Sequence, residues 1–231
     1  MLNLKLSHRL NAVNLLVNES YDVIWDCCCD HGLLGMTLLE REIAKKVMFV
    51  DIVPELMCRL SNKLTQFAGP NLRSEWQVQC QDVASIDLKP DAKQLVIIAG
   101  VGGELLLRLI HKIITNHDQH TLSELSFIVC PVHHTYSLRQ GLARLGLGLI
   151  SEQIITENKR FYELLHVGFK SEAAIEPTGD TMWDFADKNH LQYLNKLIGH
   201  YTRMGKKDPS YFTHVIADYT QLKLAKTNTS V

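Results

Sequence analysis

The chain has 231 residues, a net charge of −1, and 46% hydrophobic against 21% charged residues. That size fits one ordinary domain, with or without a small appendage, and the balance excludes a disordered chain and a uniformly basic nucleic-acid coat. No apolar run reaches the length of a membrane span and MLNLKLSHRL lacks a signal peptide's apolar stretch, so a cytoplasmic protein is expected, with Cys27, Cys28, Cys29, Cys58, Cys80 and Cys130 as thiols.

Residues 4–17 place Leu10, Val13 and Val17 at helical spacing, with Ser7 as N-cap. From residue 22 strand-like and helical runs alternate. DVIWDC reads as a strand, LLGMTLLEREIA as a helix, KVMFVD as a strand, and PELMCRLSNKLTQF as a helix with Pro54 in its first turn, broken by AGPN. EWQVQC is a third strand. QLVIIAG, apolar without alternation, is a fourth, buried on both faces, and GELLLRLIHKIITNH is its helix. LSFIVCP and TYSLRQGLARLG give a fifth strand and the helix after it.

The alternation then stops. LGLISEQIITE and RFYELLHVGF flank the polar NKR, a hairpin signal. The expected fold is α/β: a Rossmann-like, doubly wound, mostly parallel seven-stranded sheet ending in an antiparallel hairpin. SEAAIEPTGD reads as a linker, dividing a domain at 1–170 from an appendage at 171–231. In the appendage Trp183, Leu191, Leu194, Ile198, Tyr201 and Met204, then Phe212, Val215, Tyr219 and Leu222, predict an α-helical hairpin, with KTNTSV as a frayed tail.

The cysteine triplet at 27–29 suits neither zinc nor redox chemistry. Consecutive side chains at a strand end point in alternating directions, and no second cysteine pair or C-x-x-C occurs, so small buried fillers are expected and no metal. The acids around them say more. Asp26 closes the first strand, Asp51 the second, and Asp82 follows the third. Carboxylates at successive strand ends face one crevice of a doubly wound sheet, and the one after the second strand commonly binds ribose hydroxyls. Asp is also common in turns for local hydrogen bonding alone. A nicotinamide dinucleotide would want G-x-G-x-x-G in the first turn, where this chain has Cys28, Asp30 and Gly32. Two side chains there, one of them anionic, suit a nucleoside with a sulfonium and an amino-acid tail, S-adenosylmethionine.

D-x-x-x-D-H after the first strand, the acid after the second, Asp82–Val83 and IIAGVGGELLLRLI together resemble the bacterial tRNA adenine-N1 methyltransferases acting on adenine 22. LSHRLNAV, LRQGLARLG and ENKRFYELL match as well, so the resemblance spans most of residues 6–168, and a two-helix C-terminal appendage is a family trait. Cys28 stands where the family has Gly, Val101 replaces a Met, and Cys130-Pro131-Val132-His133-His134 replaces a Q-P-N sequence.

The resemblance implies S-adenosylmethionine as cofactor, held by Asp26, Cys28, Asp30, His31, Gly32, Asp51, Ile52, Asp82, Val83, Ala99 and Gly100. Asp51 would take the ribose, Asp82 the donor's adenine amino group, and Asp26 and Asp30 its cationic tail. Asp30, Gly100, Gly102, Gly103, Pro131 and His133 form the expected catalytic set, the glycines letting a target base lie flat. Adenine N1 lies on the pairing edge, so the target must be unpaired or flipped out. RNA contacts are expected from Lys5, Arg9, Arg139, Arg144, Lys159, Arg160, Arg203, Lys206 and Lys207, with His133 and His134 available to stack on a base. Two alternatives keep the fold: a small-molecule or protein acceptor, and a non-catalytic donor-binding module.

Overall fold

The computed structural model describes residues 5–67 and 73–227; the AGPN break and residues 228–231 of the expected frayed tail lie outside them. Five strands run parallel: β1 (Tyr21–Cys27), β2 (Ala44–Asp51), β3 (Glu75–Cys80), β4 (Gln94–Ala99) and β5 (Leu125–Cys130). β6 (Gly148–Glu157) and β7 (Arg160–Gly168) form the expected hairpin, and β7 pairs antiparallel with β5, giving the order β3-β2-β1-β4-β5-β7-β6. Asn158 and Lys159, at φ 50° and 62°, form the tight turn between them. Such left-handed two-residue turns match the twist of paired strands. The strand order reverses between β1 and β4, which opens a crevice at their carboxyl ends.

Successive side chains on each strand face opposite ways, so apolar runs without alternation need cover on both sides. α1 (His8–Leu16), α2 (Leu33–Glu40) and α3 (Pro54–Phe67) cover one face, over Ile24, Val47, Phe49, Leu95 and Ile97. α4 (Gly103–Thr115), the short α5 (Gln119–Leu122) and α6 (Thr135–Arg144) cover the other, over Val23, Trp25, Met48, Val96 and Ile98. Ser7 caps α1 as its sequence position predicts, its hydroxyl accepting the Leu10 N–H at 3.3 Å. The sequence reading missed α5, which starts at Asp118, whose carboxylate accepts the Thr121 N–H at 2.8 Å.

α7 (Lys188–Gly205) and α8 (Pro209–Thr227) form the helical hairpin. Tyr193, Leu194, Tyr201, Val215 and Tyr219 are buried there with Tyr136 of α6. The stretch read as a linker is held down: Leu149 donates its N–H to the Ala173 carbonyl at 2.8 Å, and Ile175 is buried in the main core.

One expectation fails here. Arg139 does not face RNA: its side chain is 0% exposed. It lies on the buried side of α6 between Leu138 and Leu142, donating to Glu152 at 2.6 Å and to Glu163 at 2.7 Å. The remaining oxygens are also satisfied, Glu152 by the N–H groups of Asp180 (2.7 Å) and Met182 (3.2 Å), Glu163 by the Tyr193 hydroxyl (2.8 Å). Two buried acids need a buried cation, and this ion cluster ties β6, β7, α6 and α7 together.

Candidate functional site

Beyond β1 the chain turns sharply into α2. Cys28 and Asp30 adopt left-handed backbone, φ 54° and 49°, conformations that cost a non-glycine residue on the order of 1 kcal/mol or more. Cross-bonds hold the turn in place. Cys29 donates its N–H to the Val50 carbonyl at 3.3 Å, Gly32 to the Cys29 carbonyl at 2.7 Å, and Asp30 to the Asp51 carboxylate at 3.1 Å. The other Asp51 oxygen accepts the Val53 N–H at 3.2 Å. The end of β2 thus fixes the turn after β1.

That turn lines a cleft of about 290 Å³. The cleft is lined by Asp26, Cys28, Asp30 and His31, by Ala99 at the end of β4 with Gly100 and Val101 after it, and by Arg9 and Leu10 of α1. Asp51, Ile52 and Asp82 stand at the adjoining strand ends rather than in the cleft lining. Their proximity shows in the Cys28 thiol, pushed up to about 11 by burial first and then by the charges of Asp51, Asp26 and Asp82. Ile52 is 67% exposed, an uncovered apolar side chain beside Asp51.

Asp26 is the buried member. Its carboxylate accepts the Gly35 N–H at 2.9 Å, and its pKa is pushed up to about 7, by burial first, against the lowering effect of that N–H and with a further rise from Asp51. No cation partners it among the described residues. Arg9 brings the opposite charge to the cleft. Its guanidinium lies 4.7 Å from the Tyr162 ring centre, and its Nε is buried without a hydrogen-bond partner. Arg9, expected among the basic residues near the cleft mouth, lines the cleft.

The other expected site residues fall into two groups. Gly100, at φ 87°, is a left-handed position on the cleft wall, which glycine suits. Gly102 and Gly103 are explained by packing. A Cβ on Gly103 would lie 2.7 Å from the His134 carbonyl oxygen, and one on Gly102 would lie 2.4 Å from the His133 ring. The segment after β5 crosses the start of α4 at close range, with the Gly103 N–H donating to the His133 carbonyl at 3.0 Å. Val83 is a core side chain, Pro131 is buried, and Gly32 begins α2 below the cleft. Of the triplet, Cys27 and Cys28 pack on the α4 side of the sheet and Cys29 on the α2 side. No group of three metal-ligating side chains occurs among the described residues, and no helix among them is long and apolar enough to cross a membrane.

The cleft's donor set suits a ligand with a cationic amine and vicinal hydroxyls, next to an apolar ring surface. Several known proteins share the architecture. Sp1610 of Streptococcus pneumoniae, described as a candidate tRNA (m1A22) methyltransferase, is 20% identical over 94% of this chain and 97% of its own, with TM-score 0.74. The B. subtilis m1A22 tRNA methyltransferase TrmK is 17% identical over 95% and 96%, with TM-score 0.69. TrmK of M. capricolum, solved with S-adenosylhomocysteine, is 20% identical over 94% and 97%, with TM-score 0.71. No curated protein matches the sequence. At such identities the likeness establishes the fold, including the helical hairpin. The profile of the methyltransferase domain family matches residues 6–165, well over half of the chain, and this chain belongs to that family.

Proposed function

We propose that this protein transfers a methyl group from S-adenosylmethionine to N1 of an unpaired adenine in tRNA, at position 22. The observation that carries the reading is a cleft at the carboxyl ends of β1 and β4, lined by Asp26 and Asp30, whose turn is hydrogen-bonded to Asp51 at the end of β2. The M. capricolum relative binds the demethylated donor, and Sp1610 has been solved with the donor itself.

The donor supplies an electrophilic methyl on a sulfonium. Everything else is positioning. Asp51 takes the ribose hydroxyls, Asp82 the adenine amino group, and exposed Ile52 packs on the purine. Asp26 and Asp30 receive the ammonium of the tail, while Arg9, the one Lys or Arg among the described residues lining the cleft, takes the carboxylate. Gly100 and Ala99 form the wall along which the acceptor approaches. In-line displacement moves positive charge from sulfur to the acceptor, and orientation alone supplies several kcal/mol of rate enhancement. N1 of adenine attacks with a free lone pair, so no side chain has to remove a proton first. Residues 1–170 carry donor binding and chemistry, and 171–231 form an appendage that helps hold RNA.

The test is methyl transfer from labelled donor to a tRNA transcript, followed by nucleoside mass spectrometry. The expected product is 1-methyladenosine, absent when adenine 22 is replaced. Failure to bind the donor at millimolar concentration ends the reading. A second reading, a small-molecule or protein acceptor, is favoured by the Pro131–His134 segment that departs from the family pattern. Salt-sensitive tRNA affinity separates the two, since phosphate contacts release counterions.

A further inference from the structure

We propose that the groove between the β6–β7 turn, α7 and the segment after β5 binds a nucleotide adjacent to the methyl acceptor in an unpaired stretch of RNA. This rests on the reading above and locates where the substrate chain runs. The groove encloses about 350 Å³. Lys159, Arg160 and Lys196 supply charge, Phe161, Tyr162 and Val132 supply apolar and aromatic surface, and no acidic residue lines it among the described residues.

The pairing of the cations is the first argument. At the amino ends of the parallel strands lysines are neutralised: Lys45 by Asp22 (2.6 Å), Lys93 by Glu19 (2.7 Å), Lys89 by Asp87 (3.2 Å) and Lys170 by Glu124. β7 runs antiparallel, so Arg160 at its start lies at the opposite end, level with the cleft. None of Lys159, Arg160 and Lys196 pairs with a carboxylate among the described residues. Glu157, the register partner of Arg160, accepts the Arg9 N–H at 2.9 Å instead. Three unneutralised cations around a half-buried aromatic floor suit an anionic chain with flat bases.

The second argument is continuity with the cleft. Arg9 lines the cleft and lies over the ring of Tyr162, which lines the groove. Val101 lines the cleft, and its carbonyl accepts the N–H of Val132, which lines the groove, at 3.0 Å. The two cavities thus share walls a single residue pair thick. An RNA whose target base enters the cleft carries its neighbouring nucleotide across Val132. His200 of α7 and Val132 of the segment after β5 both line the groove.

The test compares two triple variants. K159A/R160A/K196A should bind tRNA roughly 10- to 100-fold more weakly than the parent, with the salt slope smaller by about 2, at about 0.7 per lost single-strand phosphate contact. Its donor affinity, read by calorimetry, should be unchanged, which also reports an intact fold. K45A/K89A/K170A removes the same charge from the other end of the sheet and should bind tRNA within about twofold of the parent. Equal losses in the two variants, or none in the first, overturn the groove while parent tRNA methylation leaves the proposed function standing. A parent that binds donor but neither binds nor methylates tRNA overturns both. Displacement of bound tRNA by polyglutamate as readily as by single-stranded RNA overturns nucleotide binding in favour of an acidic peptide.

Discussion

Asp26 below the first turn and Glu152 below α6 are both buried carboxylates, 4% and 8% exposed. Burial alone would raise the pKa of each. At Glu152 the Arg139 guanidinium and the N–H groups of Asp180 and Met182 outweigh burial and hold the carboxyl below its usual range. At Asp26 only the Gly35 N–H opposes burial, the neighbouring Asp51 adds to the rise, and the pKa reaches about 7. The contrast separates architecture from function. An acid neutralised within the chain holds elements together. An acid left short of positive charge beside a cleft is set to receive that charge from a ligand.

The largest test of this contrast is at the neutralised end. Arg139→Met strands Glu152 and Glu163 in the core and should cost about 3–5 kcal/mol in chemical denaturation. Adding Glu152→Gln and Glu163→Gln should recover much of that loss. At the cleft end, Asp51→Ala should weaken donor binding by roughly 1.5–3 kcal/mol in calorimetry, the worth of a charged hydrogen bond. Unchanged affinity would place the donor elsewhere.

Asp26 gives a pH dependence of smaller size. Its folded pKa lies above the ordinary 3.8, so the fold favours the protonated form. The stability that follows is fully present below about pH 4, declines as pH rises toward about 7 and is flat beyond. A cationic donor favours the ionised form, so donor affinity should rise up to about tenfold per pH unit below pH 7 and level off above it. Asp26→Asn should abolish that rise and be no less stable than the parent above pH 7. The smallest expected effect is Cys28→Gly. Relief of left-handed backbone strain, partly offset by a freer unfolded chain, should raise stability by at most about 1 kcal/mol in thermal unfolding.

The sheet was legible because its strands are apolar runs bounded by acids and glycines, and because Asn158 and Lys159 sit where a hairpin must turn. The acids at the ends of β1 and β2 and just after β3 were legible for the same reason, since strand ends fix which way they face. What escaped was tertiary pairing. Arg139 reads as a surface cation until its position is set beside Thr135, Leu138 and Leu142, which share the buried side of α6. That spacing was available, but no local pattern reveals two acids arriving from β6 and β7. The packing that requires glycine at 102 and 103, the close crossing at His133–His134, is likewise invisible in one dimension. Arg9 was placed near the cleft mouth by the family resemblance of LSHRLNAV, and the pairing that holds it there, its N–H bonded to Glu157 of β6, is not visible in the sequence.

The most direct measurement is calorimetric titration of S-adenosylmethionine in buffers of different ionisation enthalpy, for the parent and Asp26→Asn. We expect saturable donor binding below millimolar concentration with close to one proton released near pH 6 in the parent, and none in the variant. Tight binding with no proton release, or no binding at all, would contradict a cleft whose acids await a cationic nucleoside.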